Sequence, residues 1–264
     1  MNKHILSSLN LYGVISLNDL LKVLNHYLND ITKDELIKEL NTLTKDINFD
    51  ISFIDNIIYS SDFDPLDDDD LIEANYLLLE SNNLPFYLPS EEIFLLHSDE
   101  FYIENNNSLN NLISFINENN LYKENYDGEL KRILTNYFTK RGEAYLHDAY
   151  IKHLKQIGFK FNNNENEFKN LLELLKYDLR LYSNKANTIN ELIELNLAND
   201  LVDPDLFELL INLLKTKDSV STNELINYSN DDLITNTDIK LLISFIKNNK
   251  DLNVMYENEL FSKK

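Results

Sequence analysis

Glycine and proline, the residues that most readily turn a chain, occur only four times each in 264 residues. Typical usage is about 7% and 5%. So few glycines leave little room for tight turns at positive φ or for phosphate-cradling loops, which favours helices joined by short polar connections. Hydrophobic residues make up 43% of the chain, with 14 Phe and 15 Tyr, enough apolar surface to offset chain entropy. The length allows one large domain or two to three small ones. There is no Cys, so disulfides and thiolate metal sites are excluded. Met1 to Leu11 carries one Lys and lacks the apolar run of a signal peptide. No stretch approaches the roughly 18 apolar residues of a membrane span. The expectation is a soluble, cytoplasmic protein that meets no membrane.

Apolar spacing places the elements. Lys3 to Leu11 reads as a short helix ending near Gly13. Ser16 with Asp19 resembles a cap, followed by Leu20, Leu21, Leu24 and Leu28 at helical spacing. Thr32 with Glu35 forms a capping box before Leu36, Ile37, Leu40 and Leu43. Phe49–Ile54 and Ile57–Ser60 read as strands around Asp55–Asn56, giving the order of a winged helix. Asp64–Pro65 opens another helix, with Asp at the cap and Pro at the first helical position. A loop over Asn82–Ser90 contains Pro85 and Pro89. Further helices are predicted near 90–97, 107–119, 127–139, 141–157, 165–183, 188–198, 204–216, 222–229 and 236–249. No fixed-period repeat marks a solenoid.

Charge is distributed unevenly. The 77 residues from Asp46 to Tyr122 contain no Lys or Arg and 17 acids, while the remainder carries 24 bases and 28 acids. Most of the net charge of −21 therefore lies in one block. A region of one sign focuses potential and selects partners by charge. Its candidate interaction surface is Asp50, Asp55, Asp62, Asp64, Asp67, Asp68, Asp69, Asp70 and Glu73. The Asp62–Asp70 group lacks the alternation, central Gly and distal Glu of a calcium loop, and carboxylates at a helix start need no metal to account for them.

Motifs for chemistry are scarce. There is no Gly-x-Ser-x-Gly elbow, no phosphate-binding loop and no dinucleotide fingerprint. Glu143 and His147 stand four apart on one helix face, as two metal ligands can, but no third ligand follows at a matching turn. His97 ends the apolar run Ile93–Leu96, which suits a core-edge or C-capping role. Bases gather over 123–160, eight against five acids, with Lys131, Arg132, Lys140, Arg141, Lys152 and Lys155 as a candidate basic patch. Either these bases neutralise the acidic block within the chain or they form a separate patch for phosphate or nucleic acid. In the N-terminal module the third helix is charge-balanced and the hairpin carries Asp50 and Asp55 without a base, which opposes binding to DNA.

Several stretches carry a resemblance: Leu11-Tyr12-Gly13-Val14-Ile15-Ser16-Leu17, then Tyr87-Leu88-Pro89-Ser90-Glu91-Glu92 leading into His97-Ser98-Asp99-Glu100-Phe101-Tyr102. Ile157-Gly158-Phe159-Lys160-Phe161 and Leu171 to Leu192 continue it. Together, over roughly residues 5–192, they resemble an uncharacterised Firmicutes family of helical proteins that often ends in a SEC-C zinc-binding motif. Arg180 and Leu181 match that pattern. Tyr182 stands where Trp is usual, Lys185 to Ile189 replace an Arg-Gly-His-Thr-Pro run, and the Cys-bearing tail is absent. The resemblance implies helical architecture and no activity.

These readings converge on a mainly α protein. Residues 1–61 form a winged-helix-like domain with a small β-hairpin, 62–89 an acidic connecting helix and loop, and 90–264 an all-helical domain. The expected function is non-enzymatic and without a cofactor: an acidic protein-interaction protein whose partner is a protein with a basic surface. An inhibitor or nucleic-acid mimic directed at a basic host or defence protein is one form of this. A winged-helix transcriptional regulator is the first alternative and a metal-dependent enzyme the second.

Overall fold

The computed structural model describes residues 1–46, 51–60, 83–122, 127–136, 147–199, 202–228 and 236–264. The chain is mainly helical with two small antiparallel sheets. It divides into two compact units, each drawn from three stretches of sequence. One comprises Met1–Asn105, Tyr122–Glu143 and Leu179–Asn187; the other comprises Asn106–Leu121, Ala144–Asp178 and Thr188–Lys264.

The first unit opens with α1 (Asn2–Tyr12), β1 (Val14–Ser16), α2 (Leu17–Leu28), α3 (Lys33–Leu43), β2 (Ile51–Ile54) and β3 (Ile57–Ser60). The two caps expected from sequence are present. The Ser16 hydroxyl accepts from the Asp19 backbone N–H, and Thr32 and Glu35 form a reciprocal capping box. The apolar pattern does not anticipate β1, which has only three residues. It pairs with β3, Val14 opposite Tyr59 and Ser16 opposite Ile57, so the sheet order is β1-β3-β2. Asp55 and Asn56 adopt φ of 51° and 66°, the two positive values of a type I′ turn, and this sets the register Ile54 opposite Ile57. Ile5, Leu9, Leu20, Leu24, Leu36, Leu40 and Ile58 fill the core between these helices and the sheet. Phe94 from α4 (Glu91–Leu96) joins the same core, as does Ala186.

In the second unit α5 (Asn107–Glu118) packs on α8 (Glu165–Lys176). Between them in sequence come α6 (Asp127–Leu134), which belongs to the first unit, and α7 (His147–Gln156). The helix expected over 165–183 stops at Lys176, because Asp178 is held outside it. Its carboxylate accepts from Ser108 Oγ at 2.5 Å and Asn190 Nδ2 at 2.6 Å, while its carbonyl accepts from Asn106 Nδ2 at 3.2 Å. The helix expected over 188–198 is the shorter α9 (Ile189–Glu194), begun by a second capping box from Thr188 and Glu191.

Residues 204–263, expected to lie in an all-helical domain over 90–264, contain a second sheet, which corrects that expectation. Their order is α10 (Pro204–Thr216), β4 (Ser219–Ser221), α11 (Thr222–Tyr228), α12 (Asn236–Asn248), β5 (Val254–Glu257) and β6 (Leu260–Lys263). The strand order is β4-β6-β5. This repeats the element order and the sheet order of residues 2–60. Adding 203 to the numbers of β2 and β3 gives those of β5 and β6, and Lys33 at the start of α3 maps to Asn236 at the start of α12. Local chemistry repeats as well. Ser221 Oγ accepts from the Glu224 N–H as Ser16 does from Asp19, and Asn258 and Glu259 take φ of 50° and 63° at the hairpin tip. Leu206, Leu210, Leu214, Val220, Leu225, Leu242 and Phe261 build this module's core.

Candidate functional site

Of the candidate acidic surface, Asp50, Asp62, Asp64, Asp67, Asp68, Asp69, Asp70 and Glu73 lie outside the described residues, as does the helix predicted to open at Asp64–Pro65. Asp55 is described and sits exposed at the turn of the first hairpin. Lys140, Arg141 and Glu143 are also outside the described residues. Among the rest of the basic patch, Arg132 binds Glu129 one helical turn away and Lys155 binds Glu165 at 2.6 Å. Lys131 and Arg132 belong to one unit and Lys152 and Lys155 to the other. Among the described residues no group of three or more His, Asp or Glu is arranged to hold a metal ion.

A dense polar constellation among the described residues of the first unit carries no signal in the sequence. It centres on Glu104, in the loop between α4 and α5. Arg180 grips its carboxylate with both ends of the fork, Nε to Oε1 at 2.8 Å and Nη2 to Oε2 at 2.9 Å. The third guanidinium nitrogen, Nη1, donates to the Ala186 carbonyl at 2.9 Å. Tyr87 Oη donates to Glu104 Oε2 at 3.2 Å, and the Tyr87 ring lies against the Arg180 guanidinium, 3.2 Å from ring centre to Cζ. His97 caps α4, is buried, and directs Nε2 at Glu104 Oε1 from 3.2 Å, with the Tyr102 ring edge-on against its imidazole. The core-edge and C-capping role expected of His97 is therefore what the structure shows; its carboxylate partner, seven residues on, is additional.

The surrounding backbone is tied to the same group. Tyr12 Oη, at the end of α1, donates to the Tyr87 carbonyl at 2.7 Å, and Tyr27 Oη on α2 donates to the Pro89 carbonyl at 3.0 Å. Asn187 Nδ2 reaches the Pro85 carbonyl at 2.7 Å. His4 on α1 bonds Glu91 at 2.9 Å. The extended strip 83–90 is thereby fastened on both sides. Gly13, with φ of 72°, lets the Tyr182 ring lie against the backbone where any Cβ would stand.

Electrostatics decide what Glu104 can do. Burial alone would raise its carboxyl pKa, but the hydrogen bonds from His97 and Arg180, together with their charges, outweigh burial and lower it to about 2. A group so placed stays ionised throughout the neutral range and has its lone pairs directed at protein donors. It cannot exchange a proton with a substrate near neutrality. The constellation is a clasp that fixes a loop, with the stability of a bidentate, charge-assisted pair.

Comparison with known proteins yields no match: no family model, no curated protein and no solved structure is similar to this chain.

The exposed residues of the first unit offer a different chemistry. Asp55, Glu92, Asp99 and Glu100 are exposed and make no ion pair among the described residues. Leu88 and Leu96 are 41% and 45% accessible, with Leu96 four residues after Glu92 and three before Asp99. No helix among the described residues is long and apolar enough to cross a membrane.

Proposed function

We propose that this chain is a non-enzymatic, acidic protein-interaction protein that engages a partner with a basic surface. The observation that carries the reading is the exposed Leu88 and Leu96, close in sequence to Glu92, Asp99 and Glu100, in a stretch without Lys or Arg. An apolar centre with a charged rim is the composition of a protein contact surface, and a rim of one sign steers a partner of the other. An inhibitor that occupies the nucleic-acid groove of a basic enzyme fits the same surface. The Glu104 clasp supports the reading from another side, because it uses a strongly perturbed carboxylate for architecture. Tyr12, Tyr87, His97, Glu104 and Arg180 come from or adjoin the stretches that carry the resemblance to the Firmicutes family, which fits a likeness of architecture.

Capture of partners from a host lysate at low and high salt tests the idea, with the triple variant Glu92→Lys, Asp99→Lys, Glu100→Lys as the control. A basic protein should be retained at low salt, released at high salt and missed by the variant. Salt-independent capture, or equal capture by the variant, overturns the reading.

A second reading is favoured by the repeated order α-β-α-α-β-β with its central third strand. We read both copies, 2–60 and 204–263, as winged-helix-like modules, the arrangement of many transcriptional regulators. A gel shift with DNA from the upstream region of the chain's own gene addresses it, and no shift at low salt ends it.

A further inference from the structure

The two modules act as internal controls for one another. From the start of the third helix to the end of the hairpin their elements coincide at an offset of 203, so over that stretch a charge found in one and missing from the other is not required by the shared frame. In the hairpins, four lysines stand out on this ground. At that offset Lys247, Lys250, Lys263 and Lys264 correspond in sequence to Thr44, Ile47, Ser60 and Ser61. Over the same frame Asp46, Asp50 and Asp55 become Asn249, Asn253 and Asn258. The first hairpin region, 44–61, carries one Lys and three Asp; the second, 247–264, carries four Lys and three acids.

The four lysines lie on the segments that lead into and out of the second hairpin. Lys247, on the last turn of α12, lies 5.4 Å from the centre of the Tyr256 ring on β5. Lys263 ends β6 opposite Val254, the first residue of β5. Lys264 donates its backbone N–H to the Asn253 carbonyl at 3.2 Å, and its Nζ bonds the Lys250 carbonyl. All four side chains are exposed, and none makes an ion pair among the described residues. Elsewhere Lys22, Lys155, Lys169 and Lys217 are each matched to a carboxylate. Of the acids of the region, Glu257 and Glu259 belong to the hairpin tip, while Asp251 follows Lys250 in the turn before β5. Four exposed ammonium groups that make no ion pair among the described residues, flanked by Asn248, Asn249 and Asn253 as neutral hydrogen-bonding groups, are suited to a line of phosphates.

We propose that the hairpin root of the second module is a phosphate-backbone contact surface for nucleic acid. The proposal rests on the winged-helix-like reading of residues 204–263 and is independent of the acidic surface on the first unit. With about four phosphates neutralised, log K should fall against log salt with a slope of about −3 to −4. Because the chain as a whole is strongly acidic, the complex should be weak and best seen at low ionic strength.

The test is fluorescence anisotropy of a labelled duplex of about 20 base pairs and arbitrary sequence, long enough to offer more phosphates than the four lysines can neutralise, titrated with the full chain across a salt series. The wild type should bind with the slope given. The quadruple variant Lys247→Gln, Lys250→Gln, Lys263→Gln, Lys264→Gln should lose at least tenfold in affinity, with its circular dichroism unchanged. A control variant that removes the lysines on and just after α3 of the first module, Lys33→Gln, Lys38→Gln, Lys45→Gln, should bind as the wild type does. Absence of binding at low salt overturns the proposal. So does equal loss in both variants, or retention of binding by the quadruple variant. If the duplex is ignored but an acidic polypeptide such as polyglutamate is bound, the surface is a protein contact and the proposal is wrong.

Discussion

Replacing Glu104 by Gln removes the charge from the clasp and keeps its shape. Folding lowers the carboxyl from its ordinary value of 4.5 to about 2. Each tenfold change in proton affinity is worth about 1.4 kcal/mol, so the ionised form contributes about 3 kcal/mol, nearer 2 once the water that reaches part of the side chain is allowed for. Because the folded value is depressed, this contribution is complete above about pH 4.5 and fades as pH falls toward about 2. At pH 7 the variant should therefore lose about 2–3 kcal/mol, in line with breaking one partner of a buried pair. At pH 3 the unfolded wild type is already protonated at this residue, so the gap should shrink to about 1 kcal/mol. Urea unfolding at both pH values, followed by circular dichroism, reads the difference, and charge effects common to the two proteins cancel in it. A gap that does not change with pH, or no gap at pH 7, would refute the assignment of Glu104 as the charge that holds Arg180.

Gly13→Ala should cost about 2–4 kcal/mol in thermal unfolding, since a methyl there meets the Tyr182 ring and the backbone keeps its positive φ. Made together with Tyr182→Ala, its added cost should fall to the backbone share of about 1 kcal/mol, and an undiminished cost would exclude the ring as the cause. Glu259→Gly should stabilise the second unit by about 1 kcal/mol, because Glu259 holds φ of 63° in a turn that glycine enters without strain. A lowered melting temperature would show that the Glu259 side chain contributes more than its conformation costs.

The first 60 residues are largely legible in sequence because each signal is local. Ser16, Thr32 and Glu35 announce helix starts within four residues, and Asp55–Asn56 is a turn pair tolerant of positive φ. The second copy of the same order is not. Its turn, Asn258–Glu259, places an acid where sequence patterns look for glycine, and Ser219–Ser221 is too short for a two-residue alternation to register. Only three-dimensional pairing reveals that β4 continues a sheet begun some 40 residues later. The clasp is invisible for a different reason. Glu104 and Arg180 are 76 residues apart, and each alone is an ordinary charged residue in a connecting segment. His97 draws notice for its place at a helix end, while the acid that faces it carries no local mark. Nothing short of the fold joins Tyr87, Glu104 and Arg180.

The way Leu179–Asn187 returns to complete the first unit also sets an order on synthesis. A ribosome adding about 5–20 residues per second needs roughly 4–15 seconds to pass from Glu104 to Arg180. During that interval α1 to α4 and the first sheet have emerged, yet the carboxylate meant for the guanidinium has none, and Tyr182 has not reached Gly13. The nascent N-terminal half must therefore persist in a loosened form, its loop 97–105 unlatched, until the later segment arrives. A fragment ending before Leu179 would remain in that state permanently, so cutting this chain at a single point does not yield an independent first unit.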